Sequence, residues 1–153
     1  MAATLGTIAT AIVVTATPET TAAHAAHLMR EHHVGALIVV DLESESGKPV
    51  GIVTDRDLVL AVMAEELDPS LFTVGDVMSV DLVTAPEDAD LLEAVTLLGR
   101  HQLRRLIVCD GAGRLTGIAT LEDLLVVLAR ELGTLVAALG SARDRERERA
   151  QRH

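Results

Sequence analysis

Two threonine–aspartate pairs stand at the same spacing in the chain, Thr54 with Asp57 and Thr120 with Asp123. Each pair closes the same phrase, Gly51-Ile52-Val53-Thr54-Asp55-Arg56-Asp57 and Gly117-Ile118-Ala119-Thr120-Leu121-Glu122-Asp123. An apolar run follows each phrase, at 58–63 and 124–129, so the threonine is predicted to sit where a helix begins. Such a pair can do two things. A threonine before the first turn and an acid three residues on form a capping box, in which hydroxyl and carboxylate satisfy unpaired backbone N–H groups. The same geometry can hold a nucleotide. The free amides and partial positive charge of a helix start attract phosphate. The hydroxyl adds a donor, and a carboxylate one turn in can accept from ribose hydroxyls. The two roles do not exclude each other, because a carboxylate can cap in the free state and bind ribose when a ligand arrives.

Other chemistry finds little support. There is no Gly-x-Ser-x-Gly elbow, no P-loop and no His-Glu-x-x-His, so a non-enzymatic role is expected. His24 and His27 are one helical turn apart, but no cysteine or carboxylate joins them at a metal-ligand spacing. Exposed or helix-end histidines are expected, with His32 and His101 at helix C-termini, where a cation is favourable. The single cysteine, Cys109, cannot form an intramolecular disulfide and fits a reducing, cytoplasmic compartment. It lies in an apolar run and reads as a buried small residue.

The 153 residues suit one domain or two small halves, and the 49% of apolar residues are nearly all aliphatic: Phe72 is the one aromatic of the Phe, Trp and Tyr types. A formal charge of −10 argues against non-specific nucleic-acid binding, and the missing aromatics remove base-stacking platforms. No segment reads as a membrane span. Residues 2–14 are apolar but rich in Thr and Ala, with no basic stretch before them.

The elements that must position the two phrases are themselves repeated. A shift of 69 residues aligns Gly6 with Gly75, Thr15 with Thr84, Ala25 with Ala94, His32 with His101 and Asp41 with Asp110. The shift then falls to 66 for the phrases, because the first copy has a longer polar turn, 42–49 against 111–114. Each copy reads β-α-β-β-α. The expected segments are a strand (11–14; 82–84), a helix (20–32; 89–101), a buried strand (36–40; 106–109), a second strand (50–53; 115–119) and the helix after the phrase. Val74-Gly75-Asp76-Val77-Met78 leads the second copy, and Leu5-Gly6-Thr7-Ile8-Ala9 is its degraded counterpart. After the second copy the apolar pattern continues through Leu132, Leu135, Val136 and Leu139, with Gly133 expected to kink or break the helix. Residues 143–149 alternate arginine with acids and read as a solvated helical tail ending at His153.

The doubled β-α-β-β-α order, the twice-used phrase and the Val74–Met78 lead resemble a tandem pair of cystathionine-β-synthase (CBS) domains, a Bateman module. On this likeness the fold is α/β (α+β), with repeats at 4–66 and 73–139 packed through their sheets in pseudo-two-fold symmetry, and a charged tail at 140–153. The resemblance implies a regulatory sensor of an adenosine-containing ligand: AMP, ADP or ATP first, with S-adenosylmethionine, NAD(H) or cyclic di-AMP as alternatives. No cofactor or metal is required. One cleft would use Thr54, Arg56 and Asp57 with Val83, Thr84, Leu103, Arg104 and Arg105. The other would use Thr120 and Asp123 with Val14, Thr15, Val34, Gly35 and Ala36. Three arginines are expected to converge on the first cleft and no positive charge on the second, so a phosphorylated ligand is expected to prefer the Asp57 side. Signalling would run through a protein partner or the oligomeric state. An isologous homodimer is expected, because the helix over 124–139 offers more apolar surface than one domain needs. The alternative is a ligand-free interaction or dimerisation module.

Overall fold

The computed structural model describes residues 3–42 and 47–152. Two three-stranded sheets carry the fold, ordered β1-β2-β3 and β4-β5-β6. The first is built from β1 (Thr15–Ala16), β2 (Ala36–Val40) and β3 (Pro49–Thr54), with α2 (Ala22–His32) crossing from β1 to β2. The second is built from β4 (Thr84–Pro86), β5 (Arg105–Cys109) and β6 (Leu115–Thr120), with α5 (Leu91–His101) as the crossover. In each sheet the first strand runs parallel to the second, and the second antiparallel to the third. Even the irregularities repeat: register shifts fall at Val39/Val40 and at Val108/Cys109. The turn read at 42–49 lies partly outside the described residues.

The central strands β2 and β5 are apolar along their length because both faces are covered. Leu37 and Val39 face the first core with Ala25, Met29 and Val53. Leu106 and Val108 face the second core with Ala94, Leu98 and Leu124. The alternate residues Ile38, Val40, Ile107 and Cys109 form a layer between the two sheets, joined by Val13, Ile52, Leu82, Leu115 and Ile118. Burial in that layer pushes the Cys109 thiol above its ordinary pKa, with a smaller push from Asp110.

Several boundaries differ from the sequence reading. Pairing begins at Thr15, one residue past the expected 11–14, and at Thr84, the last residue of the expected 82–84. Val13 and Leu82 are apolar because they pack into the inter-sheet layer, not because they belong to a ladder. The crossover helices start two residues late, because Thr21 and Asp90 are their N-caps, accepting from His24 N and Glu93 N. After the first phrase, one α-turn, α3 (Asp55–Leu58), widens into a π-helical stretch at Val59–Met63. Gly133 does not break the last helix: α6 runs unbroken over Leu121–Gln151. An interior glycine costs only about 1 kcal/mol against alanine and keeps its own backbone hydrogen bond, so Leu- and Ala-rich flanks carry the helix through. By length and composition α6 could cross a membrane, with mean hydropathy 1.7 over its most apolar window. Its first turn, however, is a core element of the second repeat, where Leu124 is buried.

The short leading segments are exchanged between repeats. α1 (Leu5–Ile8) packs on the second core, where Leu5 is fully buried. Leu5 N donates to Ala89 O at 2.9 Å, and Gly6 N to Glu87 O at 2.7 Å. α4 (Val74–Val77) does the same for the first core, Val74 N donating to Thr20 O at 2.7 Å and Gly75 N to Pro18 O at 2.8 Å. The leading segment of the first copy is therefore not degraded: both helices carry capping boxes, from Thr4 and from Thr73. Past each helix the chain forms a bridge on the other repeat's third strand, Thr10 with Ile118 and Ser79 with Ile52.

This exchange explains the glycine that opens each phrase. A Cβ on Gly117 would lie 3.0 Å from both Ala9 Cβ and Thr10 O, and one on Gly51 would strike Met78. Gly117→Val is accordingly expected to lower stability by about 1–3 kcal/mol through overpacking. Urea unfolding measures it, and an unchanged midpoint would contradict this account of the glycine.

Candidate functional site

β3 and β6 each deliver a threonine to the start of a helix. Thr54 accepts from Asp57 N at 3.1 Å, while Asp57 Oδ2 accepts from Thr54 N at 2.8 Å. Thr120 and Asp123 repeat this at 3.1 and 2.9 Å. Both pairs are thus capping boxes in the ligand-free chain, and all four residues remain half-buried rather than sealed. The strand that precedes each helix start is tied to it by its neighbour: Asp55 N donates to Gly35 O at 3.0 Å, and Leu121 N to Arg104 O at 2.9 Å.

A cavity of about 220 Å³ opens beside Thr120. The first repeat contributes Val13, Val14 and the turn Val34-Gly35-Ala36 to its wall; the second contributes Ile118, Thr120 and Arg105. Four residues expected at the Thr120 cleft, Val14, Val34, Gly35 and Ala36, therefore meet there with Thr120 itself. Thr15 and Asp123 are not in the cavity wall; Asp123 stands one turn into α6, and Thr15 is an exposed strand residue. Thr10 and Ile12, not anticipated from sequence, also line the cavity. They arrive because the chain after α1 bridges to β6, a pairing with no local sequence signature.

The arginines are distributed differently from the sequence expectation. Arg105 lines the cavity beside Thr120, so that side does carry a positive charge. Its Nη2 would stand 3.8 Å from a Cβ placed on Gly35, across the gap between repeats. Arg105 is opposite Thr120 in the β5–β6 register, and a side chain at this edge can reach the near cleft as readily as the far one. Arg104 is drawn to the surface, where its Nη2 pairs with Glu122 Oε1 at 2.7 Å. The Glu122 carboxyl is held below its ordinary pKa, first by its own backbone amide at the α6 start and then by Arg104. Arg56 lines a shallow depression with Asp55, Val59 and Leu60, a group that includes none of Val83, Thr84 or Leu103. The three arginines therefore do not converge. Val83 and Leu103 pack on the second core, and Thr84 is exposed. Among the described residues no group of three or more His, Cys, Asp or Glu could hold a metal ion.

The CBS-domain family model matches residues 5–64 and 74–130. The chain belongs to the CBS-domain family. Its repeats and sheets are those of a CBS pair. An uncharacterized protein of Methanopyrus kandleri is 38% identical over 123 residues, covering 80% of this chain. The match spans only 61% of that relative's length. The CBS domain-containing protein YhcV of Bacillus subtilis is 40% identical over 114 residues, 74% of this chain and 77% of YhcV. Among solved structures, Hypoxic Response Protein I with two coordinated zinc ions is 32% identical with a TM-score of 0.70, covering 80% of this chain and 96% of that one. The cytosolic domain of the Mg2+ channel MgtE in complex with ATP is 26% identical with a TM-score of 0.69, covering 81% of this chain and 48% of that one.

Proposed function

We propose that this CBS pair is a non-enzymatic, cytoplasmic regulatory module that binds an adenosine-containing ligand in the Thr120 cavity, with ATP, ADP or AMP favoured. The carrying observation is the composition of that cavity: apolar Val13, Val14 and Ile118, a backbone turn at Val34–Ala36, and Thr120 with Arg105 all line it. An adenine base fits between aliphatic side chains and backbone amides, with ribose at the Thr120 end and phosphate toward Arg105. The volume of about 220 Å³ is below the usual range of about 300–1,000 Å³ for small-molecule pockets, which suits base and ribose inside and phosphates at the open mouth. The ATP complex of the MgtE cytosolic domain supports the ligand class. On ligand binding the Asp123 carboxylate exchanges its cap bond for ribose hydroxyls. With no Trp or Tyr in the chain, affinity is modest rather than tight.

The signal passes to a protein partner through an isologous homodimer. Exposed apolar side chains on helical faces of both repeats support assembly, among them Leu60 and Met63 in the first and Leu92 and Leu125 in the second. The same faces favour the second reading, a ligand-free interaction module.

Thermal unfolding against AMP, ADP, ATP, NADH, S-adenosylmethionine and cyclic di-AMP, with GMP as control, separates the two. A ligand that binds only the folded chain stabilises it by about 2.7 kcal/mol at a hundred times Kd. A shift with an adenine compound and none with GMP is expected. No shift with any of them would leave the ligand-free reading standing.

A further inference from the structure

The family match ends at residue 130, but α6 continues to Gln151. From Leu128 onward every described residue of the helix is exposed. Leu132, Leu135, Val136 and Leu139 are all more than half exposed. A lone helix of this kind has no packing to stabilise it, and helices in water draw most of their stability from a buried apolar face. The spacing of its leucines identifies the cover. Leu125, Leu128, Leu132, Leu135 and Leu139 alternate steps of three and four, and Ala142 continues the series. This is the a/d seam of a two-helix coiled coil, which only another seam of the same period fits along its length.

Charge sets the direction. A parallel pair would stack Glu146 and Arg149, the next a and d positions, each on its own copy, placing like charges on the seam. An antiparallel pair centred between Gly133 and Thr134 sets Leu132 against Leu135 of the second copy, Leu128 against Leu139, and Leu125 against Ala142. It also brings Glu122 beside Arg143 of the second copy. The tail carries five arginines against three acids in a chain of formal charge −10, so an antiparallel tail runs back over an acidic body. Glu122 already pairs with Arg104, and a carboxylate accepts a second guanidinium on its other oxygen.

We infer that α6 pairs antiparallel with α6 of a second copy along this leucine seam, which places the basic tail of each chain over the α6 start, and hence the Thr120 cavity mouth, of the other. This rests on the homodimer reading above and assigns it an interface beyond the CBS repeats.

The test uses the full chain. Light scattering at about 50 µM is expected to give twice the chain mass, and Leu132→Glu with Leu135→Glu half of that, with the thermal midpoint of the body retained. With Cys109→Ser, the Leu125→Cys/Ala142→Cys chain is expected to form a disulfide-linked dimer under mild oxidation, and Ala142→Cys alone is not. Linking by Ala142→Cys alone would mean a parallel pair and overturn the inference. A dimer that neither links nor responds to the glutamates would place the interface elsewhere, overturning the seam but not the homodimer. A monomer of the unaltered chain would overturn both. Flotation of the unaltered chain with phosphatidylcholine/phosphatidylglycerol vesicles would make lipid the cover and also overturn it.

Discussion

Arg105→Ala is expected to weaken ATP binding about ten- to a hundredfold, while Arg104→Ala leaves it within about twofold. A hydrogen bond to a charged group is worth about 1.5–3 kcal/mol, and each 1.4 kcal/mol is tenfold in affinity. Arg105 lines the cavity, whereas Arg104 is engaged by Glu122 at the surface. Calorimetric titration with ATP, and with adenosine as the uncharged comparison, separates the terms. The Arg105 effect should nearly vanish for adenosine, because only the phosphates meet the guanidinium. Loss of ATP affinity in Arg56→Ala or Arg104→Ala instead would move the phosphates to the Asp57 side.

The second large effect concerns the fold. Leu37 and Leu106 are fully buried, each at the centre of one core. Leu→Ala at either is expected to cost about 2–5 kcal/mol, transfer and cavity terms together. More telling is the shape of the transition. α1 belongs to the second core and α4 to the first, and the Ile38–Ile107 layer joins the sheets. Neither repeat can unfold without stripping the other of a buried leucine or valine, so both variants should shift one cooperative transition of the whole chain. Two separated transitions, with only the mutated repeat destabilised, would show that the exchange couples less than the geometry implies.

These particulars also show where sequence reading works. β2 was legible at its observed bounds, because five consecutive apolar residues between polar turns leave little choice but a doubly covered strand. The capping boxes were legible because they are local, Thr and Asp three residues apart on either side of a helix start. Two things were not. The partner of α1 is chosen by the tertiary fold: Leu5 and Val74 look alike, and nothing near either says which of two similar cores receives it. The side on which Arg105 acts was hidden for a related reason. Its strand position borders both clefts, and a long side chain at a border is placed by its neighbours, here Gly35 and Thr120, not by its own register. The continuity of α6 through Gly133 was a matter of weight, one unfavourable residue against a long run of helix formers.

The central claim is that the Thr120 cavity is an adenosine site, and crystals grown with ATP address it most directly. The account predicts adenine between Val14, Ile118 and the Val34–Ala36 turn, ribose at Thr120 and Asp123, and phosphates at Arg105. ATP seated instead between Thr54 and Val83, or an empty Thr120 cavity at saturating ATP, would contradict it.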